Sequence, residues 1–178
     1  MKVLFFIPTL AHGGAERVLV NLANKLDKEK YDVTVQTLFD VGVNKQLLSD
    51  NVNYQYCFKR VIPANTYLFS LFSPNQLYKY LVKGHYDIIV SYLEGLTARI
   101  ISGCPDDCTK KVCWIHIELN NDKLYARAFR NKKEAIRCYR AFDKIICVSK
   151  TVKEIFLKTS GTTYDDIEVI YNTNDCLR

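Results

Sequence analysis

The sequence predicts an α/β domain: a doubly wound, mainly parallel Rossmann-like sheet with helices on both faces. Three observations predict it. Short β-branched or aromatic runs alternate with helical stretches along the whole chain. The first run, residues 3–7 (VLFFI), is apolar without alternation, as expected of a strand covered on both sides. A glycine pair, Gly13-Gly14, then separates that strand from an amphipathic helix.

The elements follow in order. After Gly14, residues Ala15, Val18, Leu19, Leu22, Ala23 and Leu26 recur at helical spacing and form one apolar face. Residues 31–38 (YDVTVQTL) give the second strand and 52–58 (VNYQYCF) a third, less sharply patterned. Residues 59–73 are aromatic and basic and carry no clear period. Pro74 opens a helix over 74–82. Residues 87–91 (DIIVS) form the fourth strand, followed by a helix over 94–101 and a turn at 103–107. Residues 111–116 (KVCWIH) form the fifth strand. Residues 122–141 are rich in helix formers and bases. Residues 143–148 (DKIICV) form the sixth strand, Ser149 caps a helix over 151–158, and 167–171 (IEVIY) form the seventh strand. No closing helix follows that strand, so the expectation is a chain that is one part of a larger protein.

Composition bounds the function. The chain has 178 residues, 48% hydrophobic and 25% charged, with a formal net charge of +6, which suits a folded domain with an anionic ligand or surface. The first apolar run is far too short to span a bilayer. Seven cysteines, an odd number with no secretory signal ahead of the first strand, point to a reduced, cytoplasmic protein. Cys104, Cys108, Cys113 and His116 lack standard zinc spacing, and no metal is expected. No nucleic-acid motif is present, and nucleic acid is not an expected partner.

Four segments carry chemistry, each a strand running into a polar turn. In PTLAHGGAER (8–17) the glycines allow close approach of a ligand to the backbone, and the following helix N-terminus favours an anion. The spacing is not GxGxxG. In WIHIE (114–118), His116 ends a strand and Glu118 lies two residues on. CVSK (147–150) and VIYN (169–172) end the last two strands at Ser149 and Asn172.

The ordered set HGGAER, WIHIE, CVSK and VIYN resembles the N-terminal domain of GT-B glycosyltransferases of family 4, over residues 2 to about 175. The resemblance implies the N-terminal half of a GT-B fold, here 1–175. A C-terminal nucleotide-sugar-binding domain would complete it. It implies retaining transfer of a hexosyl group from a nucleotide-sugar donor to a glycan or lipid-linked acceptor, without a cofactor. Surface polysaccharide biosynthesis is the implied setting, with the fragment alone expected to be inactive. Gly13 and Gly14 would lie beside the donor diphosphate, and His116 would be the catalytic cleft histidine. Glu16, Arg17, Glu118, Ser149 and Asn172 are candidate acceptor or cleft residues. Thr173 stands where the family usually has glycine, which makes the hinge lead-in atypical.

Bases and aromatics interleave over 58–72 and 123–144, which fits peripheral docking on the anionic inner face of a membrane, and equally a solvated helix face over a core. Three other readings remain open: a nucleotide-sugar epimerase of the same fold, a dinucleotide-dependent oxidoreductase with Asp40 as ribose acid, and a non-catalytic sugar-binding or interaction domain.

Overall fold

The computed structural model describes residues 1–172; Thr173 and the end of the 1–175 unit lie outside them. The apolar runs become strands β1 (Lys2–Ile7), β2 (Asp32–Phe39), β3 (Asn53–Phe58), β4 (Ile88–Ser91), β5 (Lys110–Ile115), β6 (Lys144–Cys147) and β7 (Ile167–Val169). All neighbours pair in parallel, in the order β3-β2-β1-β4-β5-β6-β7. The chain winds outward from β1 to β3 and then returns to place β4 on the other side of β1. Val3 therefore stands opposite both Val33 and Ile88. That reversal makes a switch point between the carboxyl ends of β1 and β4.

The connections are helices α1 (Gly14–Lys25), α2 (Asn65–Ser70), α3 (Pro74–Leu81), α4 (Leu96–Ile101), α5 (Asp122–Tyr125), α6 (Lys132–Arg140) and α7 (Lys150–Ser160), with a 3-10 turn at Asn44–Leu47. Helices lie on both faces, as expected, but unevenly. Val3, Phe5 and Ile7 of β1 pack with Leu19, Val20 and Ala23 of α1. Leu4 and Phe6 share the opposite core with residues of α2 through α7, among them Phe69, Leu77, Ile100, Tyr125, Tyr139 and Phe156. Right-handed crossovers account for this: the connection from β3 back to β4 reverses the winding direction, so α2 and α3 within it and every later helix lie on the other face.

Two stretches resolve in ways the periodicity does not show. Residues 59–73 contain α2, and 122–141 is broken into α5 and α6. Asn131 makes the break, its side chain accepting from Glu134 N at 2.9 Å to cap α6. Ser73 and Gln76 form a reciprocal capping box ahead of α3, with Pro74 in its first turn.

A buried ion pair ties these pieces together. Arg99 of α4 is 0% exposed and Glu134 of α6 is 4% exposed. Arg99 Nε donates to Glu134 Oε2 at 3.2 Å, and its other nitrogens donate to the carbonyls of Phe69 (2.8 Å) and Phe72 (2.7 Å). Burial works to raise the Glu134 carboxyl; Arg99 and the Arg130 N–H outweigh it and hold it below the usual range.

Candidate functional site

The first loop is set by its neighbours. Pro8 O accepts from Phe39 N at 2.9 Å, Leu10 N donates to Val41 O at 3.0 Å, and Leu10 O accepts from Asn44 N at 3.1 Å. The buried Asn44 amide also donates to Ala11 O. Gly42 is what permits this approach. Its φ is +118°, and a Cβ there would fall 2.0 Å from Leu10 O. The loop after β2 thus fixes the loop after β1.

Gly13 caps α1 with extended backbone, and Gly14 is the first helical residue. A Cβ on Gly14 would meet nothing within 4 Å. Gly14 is therefore not required by packing; it leaves the start of α1 open. Glu16 folds back over this start, with its Oε2 1.8 Å from where a Gly13 Cβ would stand. A carboxylate thus occupies the position that the helix N-terminus makes favourable for negative charge. Arg17 is exposed.

His116 follows β5 on the face that α1 covers. Its ring lies 5.0 Å from the Tyr92 ring and 6.1 Å from the Trp114 ring, the latter nearly parallel. Burial drives its pKa down to about 4, against a hydrogen bond to the Tyr92 backbone that favours the charged form. The ring is therefore neutral at neutral pH. Its Nε2 is buried and has no partner among the described residues, so the Tyr92 bond falls to Nδ1–H and leaves Nε2 as an acceptor. Tyr92 Oη and Trp114 Nε1 are likewise buried without a partner. Three polar atoms of one ring cluster are thus left for something other than the described chain.

Glu94, which the sequence reading did not single out, belongs to this site. β4 ends at Ser91, where its pairing with β5 stops opposite Cys113, and Gly95 follows with φ +77°. The Glu94 carboxylate replaces the missing ladder: it accepts from His116 N at 2.8 Å and also from the backbone of Ile117. Burial still raises its carboxyl above the usual range. The one available signal was the Glu-Gly pair separated by two residues from a buried strand, at the same sheet edge as His116.

The other candidates separate. Ser149 Oγ accepts from Val152 N at 3.1 Å and caps α7, a structural task. Asn172 is half-buried beyond β7, its Oδ1 without a partner among the described residues. Glu118 is exposed. Asp40, weighed as a ribose acid, is bound by Lys45 Nζ (2.7 Å) and Tyr54 Oη (2.8 Å) and held below its ordinary pKa. A cavity of about 230 Å³ opens beside Glu94, lined also by Thr66, Ile117, Tyr125 and Arg127. It joins two segments separate in sequence, α2 and the loop after β5.

Comparison with known proteins adds the family. The sequence model of Glycosyltransferase Family 4 matches residues 12–176. No curated protein matches. Among solved structures, Anabaena Alr3699/HepE in complex with UDP is similar, with a TM-score of 0.59 and 20% identity. The likeness covers 98% of this chain and 45% of that one, so the chain spans under half the length of its structural relative. With the parallel sheet, its switch point and a family match over nearly the whole sequence, the chain belongs to glycosyltransferase family 4, as a Rossmann-like domain of the GT-B kind.

Proposed function

We propose that this chain is the acceptor-side domain of a retaining glycosyltransferase. The enzyme moves a hexosyl group from a nucleotide sugar to a glycan or lipid-linked acceptor, in surface polysaccharide assembly at the inner membrane face. A second domain of the same protein supplies most nucleotide contacts. The observation that carries this reading is the pairing at one sheet edge of an α1 start that no side chain packs against at Gly14 with a neutral His116 whose Nε2 has no partner among the described residues. HepE, the structural relative, binds UDP, which favours a nucleotide-linked donor.

In this mechanism the diphosphate lies at Gly13 and Gly14 and displaces the Glu16 carboxylate. The bond from the anomeric carbon to the phosphate oxygen breaks, and backbone N–H groups at the start of α1 stabilise the developing charge. The acceptor hydroxyl attacks the anomeric carbon from the same face, and its proton passes to the departing phosphate oxygen. His116 Nε2 accepts a hydrogen bond from a donor sugar hydroxyl and holds the ring in place. The acceptor occupies the cavity at Glu94. No bound metal or cofactor takes part.

The test is a panel of UDP-, GDP- and ADP-sugars offered to the full-length protein with a broad acceptor set, the product read by NMR. Transfer from one donor class with the anomeric configuration kept is expected, and none from residues 1–178 alone. Interconversion of the donor sugar without transfer would establish the epimerase reading instead. Binding without turnover would establish a binding module.

A further inference from the structure

We propose that the face built by α2 and α3 is the surface that seats this domain on an anionic lipid membrane. The proposal gives a location to the membrane association in the reading above and does not depend on the transfer chemistry.

The charge pattern is one-sided. Between Asp50 and Asp87 the chain contains no Asp or Glu, while Lys59, Arg60, Lys79 and Lys83 are all present and exposed. Large apolar groups stand out of the same face: Tyr67 is 74% exposed, Tyr80 69% and Leu71 62%. Between them runs a groove of about 320 Å³ with an entirely apolar lining, including Phe58, Ile62, Leu68 and Phe72. Exposed tyrosines and aliphatics in a segment rich in bases are what an interfacial surface needs, the apolar groups entering the headgroup boundary and the bases meeting lipid phosphates.

The backbone beneath is prepared for a water-poor surface. Arg99 donates to the carbonyls of Phe69 and Phe72, and Arg130 donates to Ser70 O at 2.7 Å and Leu71 O at 3.0 Å. The carbonyls at the end of α2 are met by guanidinium groups instead of water, so the apolar side chains can leave water without stranding polar backbone. The inner side of α2 places Thr66 on the cavity that Glu94 lines. One short helix thus links the sugar side to the lipid side.

The second basic stretch does not share these properties. Lys132 pairs with Asp122 (2.7 Å), Lys144 with Asp166 (3.3 Å) and Glu168 (2.8 Å), and Arg140 binds Thr162. A second copy of the chain is disfavoured as occupant of the α2–α3 face, because the segment that builds it, 51–86, carries bases and no acid, and two such faces repel.

The experiment is co-sedimentation of the full chain with vesicles of phosphatidylcholine alone and with added phosphatidylglycerol. Binding is expected only with phosphatidylglycerol, and to weaken as salt rises. Lys59→Glu/Lys79→Glu/Lys83→Glu is expected to lower partitioning at least tenfold, each base near the surface being worth about fivefold. Tyr67→Ser/Leu71→Ser/Tyr80→Ser, all at exposed positions, is expected to lose most binding with thermal unfolding unchanged. Lys123→Glu/Lys133→Glu/Arg137→Glu is expected to bind as wild type. Equal binding by wild type and the α2–α3 variants, or no vesicle binding by wild type, overturns the proposal. So does a dimer that the serine variant dissolves. Vesicle binding by a protein that transfers no sugar would leave this surface standing and remove the transferase reading.

Discussion

His116 is neutral because its ring is buried among Tyr92 and Trp114, and it is available because Nε2 has no partner among the described residues. His116→Ala in the full-length enzyme is expected to lower transfer about 100-fold at saturating donor, the size of a lost positioning contact, measured by steady-state kinetics. Its depressed pKa also ties folding to pH. The unfolded chain takes up a proton near pH 6.5, the folded ring only near 4. Stability is full above 6.5 and is lost as pH falls toward 4. Thermal unfolding across that window is expected to show a fall that His116→Asn lacks. Glu94 acts through the backbone of the same residue. Glu94→Ala strands the His116 and Ile117 N–H groups at the end of β5 and is expected to cost about 1–3 kcal/mol. Glu94→Gln keeps an acceptor and is expected to recover most of that stability and, with His116 held in place again, most of the transfer. Chemical denaturation beside transfer assays separates the two effects.

The element proposed to bind the diphosphate is the β1–α1 turn, held from behind by the loop after β2. Two glycines there have opposite tasks. Gly42→Ala drives a side chain onto Leu10 O at a positive φ and is expected to destabilise the domain by about 1–3 kcal/mol or more. Gly14→Ala meets no protein atom and is expected to leave stability intact while weakening donor binding about tenfold, the size of one lost charge-assisted contact. Much of this element was legible in advance. An unbroken apolar run, a glycine pair and a helical period suffice to place a strand, a turn and a helix, because each rests on local chemistry. The spacing of Ser149 likewise marked its cap. Residues 59–73 and 122–141 were not legible. α2 has six residues and is held by Arg99 and Arg130 from distant segments, and the α5–α6 break depends on the Asn131 cap rather than on a change of period.

Across the whole molecule, the switch between β1 and β4 gathers the ends of separate strands into one edge. The order of strands was implied only as a parallel sheet; which strand lies beside β1 is a long-range fact that local pattern does not encode. The same holds for Glu94, whose role exists only because β4 and β5 are neighbours. The Arg99–Glu134 pair is the keystone between α2, α4 and α6. Arg99→Met leaves Glu134 buried without its counter-charge and is expected to cost about 3–5 kcal/mol. Denaturant midpoints would show this, with donor affinity unchanged in the folded fraction.

The most direct measurement is donor affinity and steady-state transfer of the full-length protein as wild type, Gly14→Ala and His116→Ala, each verified as folded. A site at this sheet edge requires both variants to lose transfer, Gly14→Ala mainly through weaker donor binding and His116→Ala mainly through turnover. Wild-type kinetics in both variants would contradict it and move the chemistry away from the β1 and β5 ends.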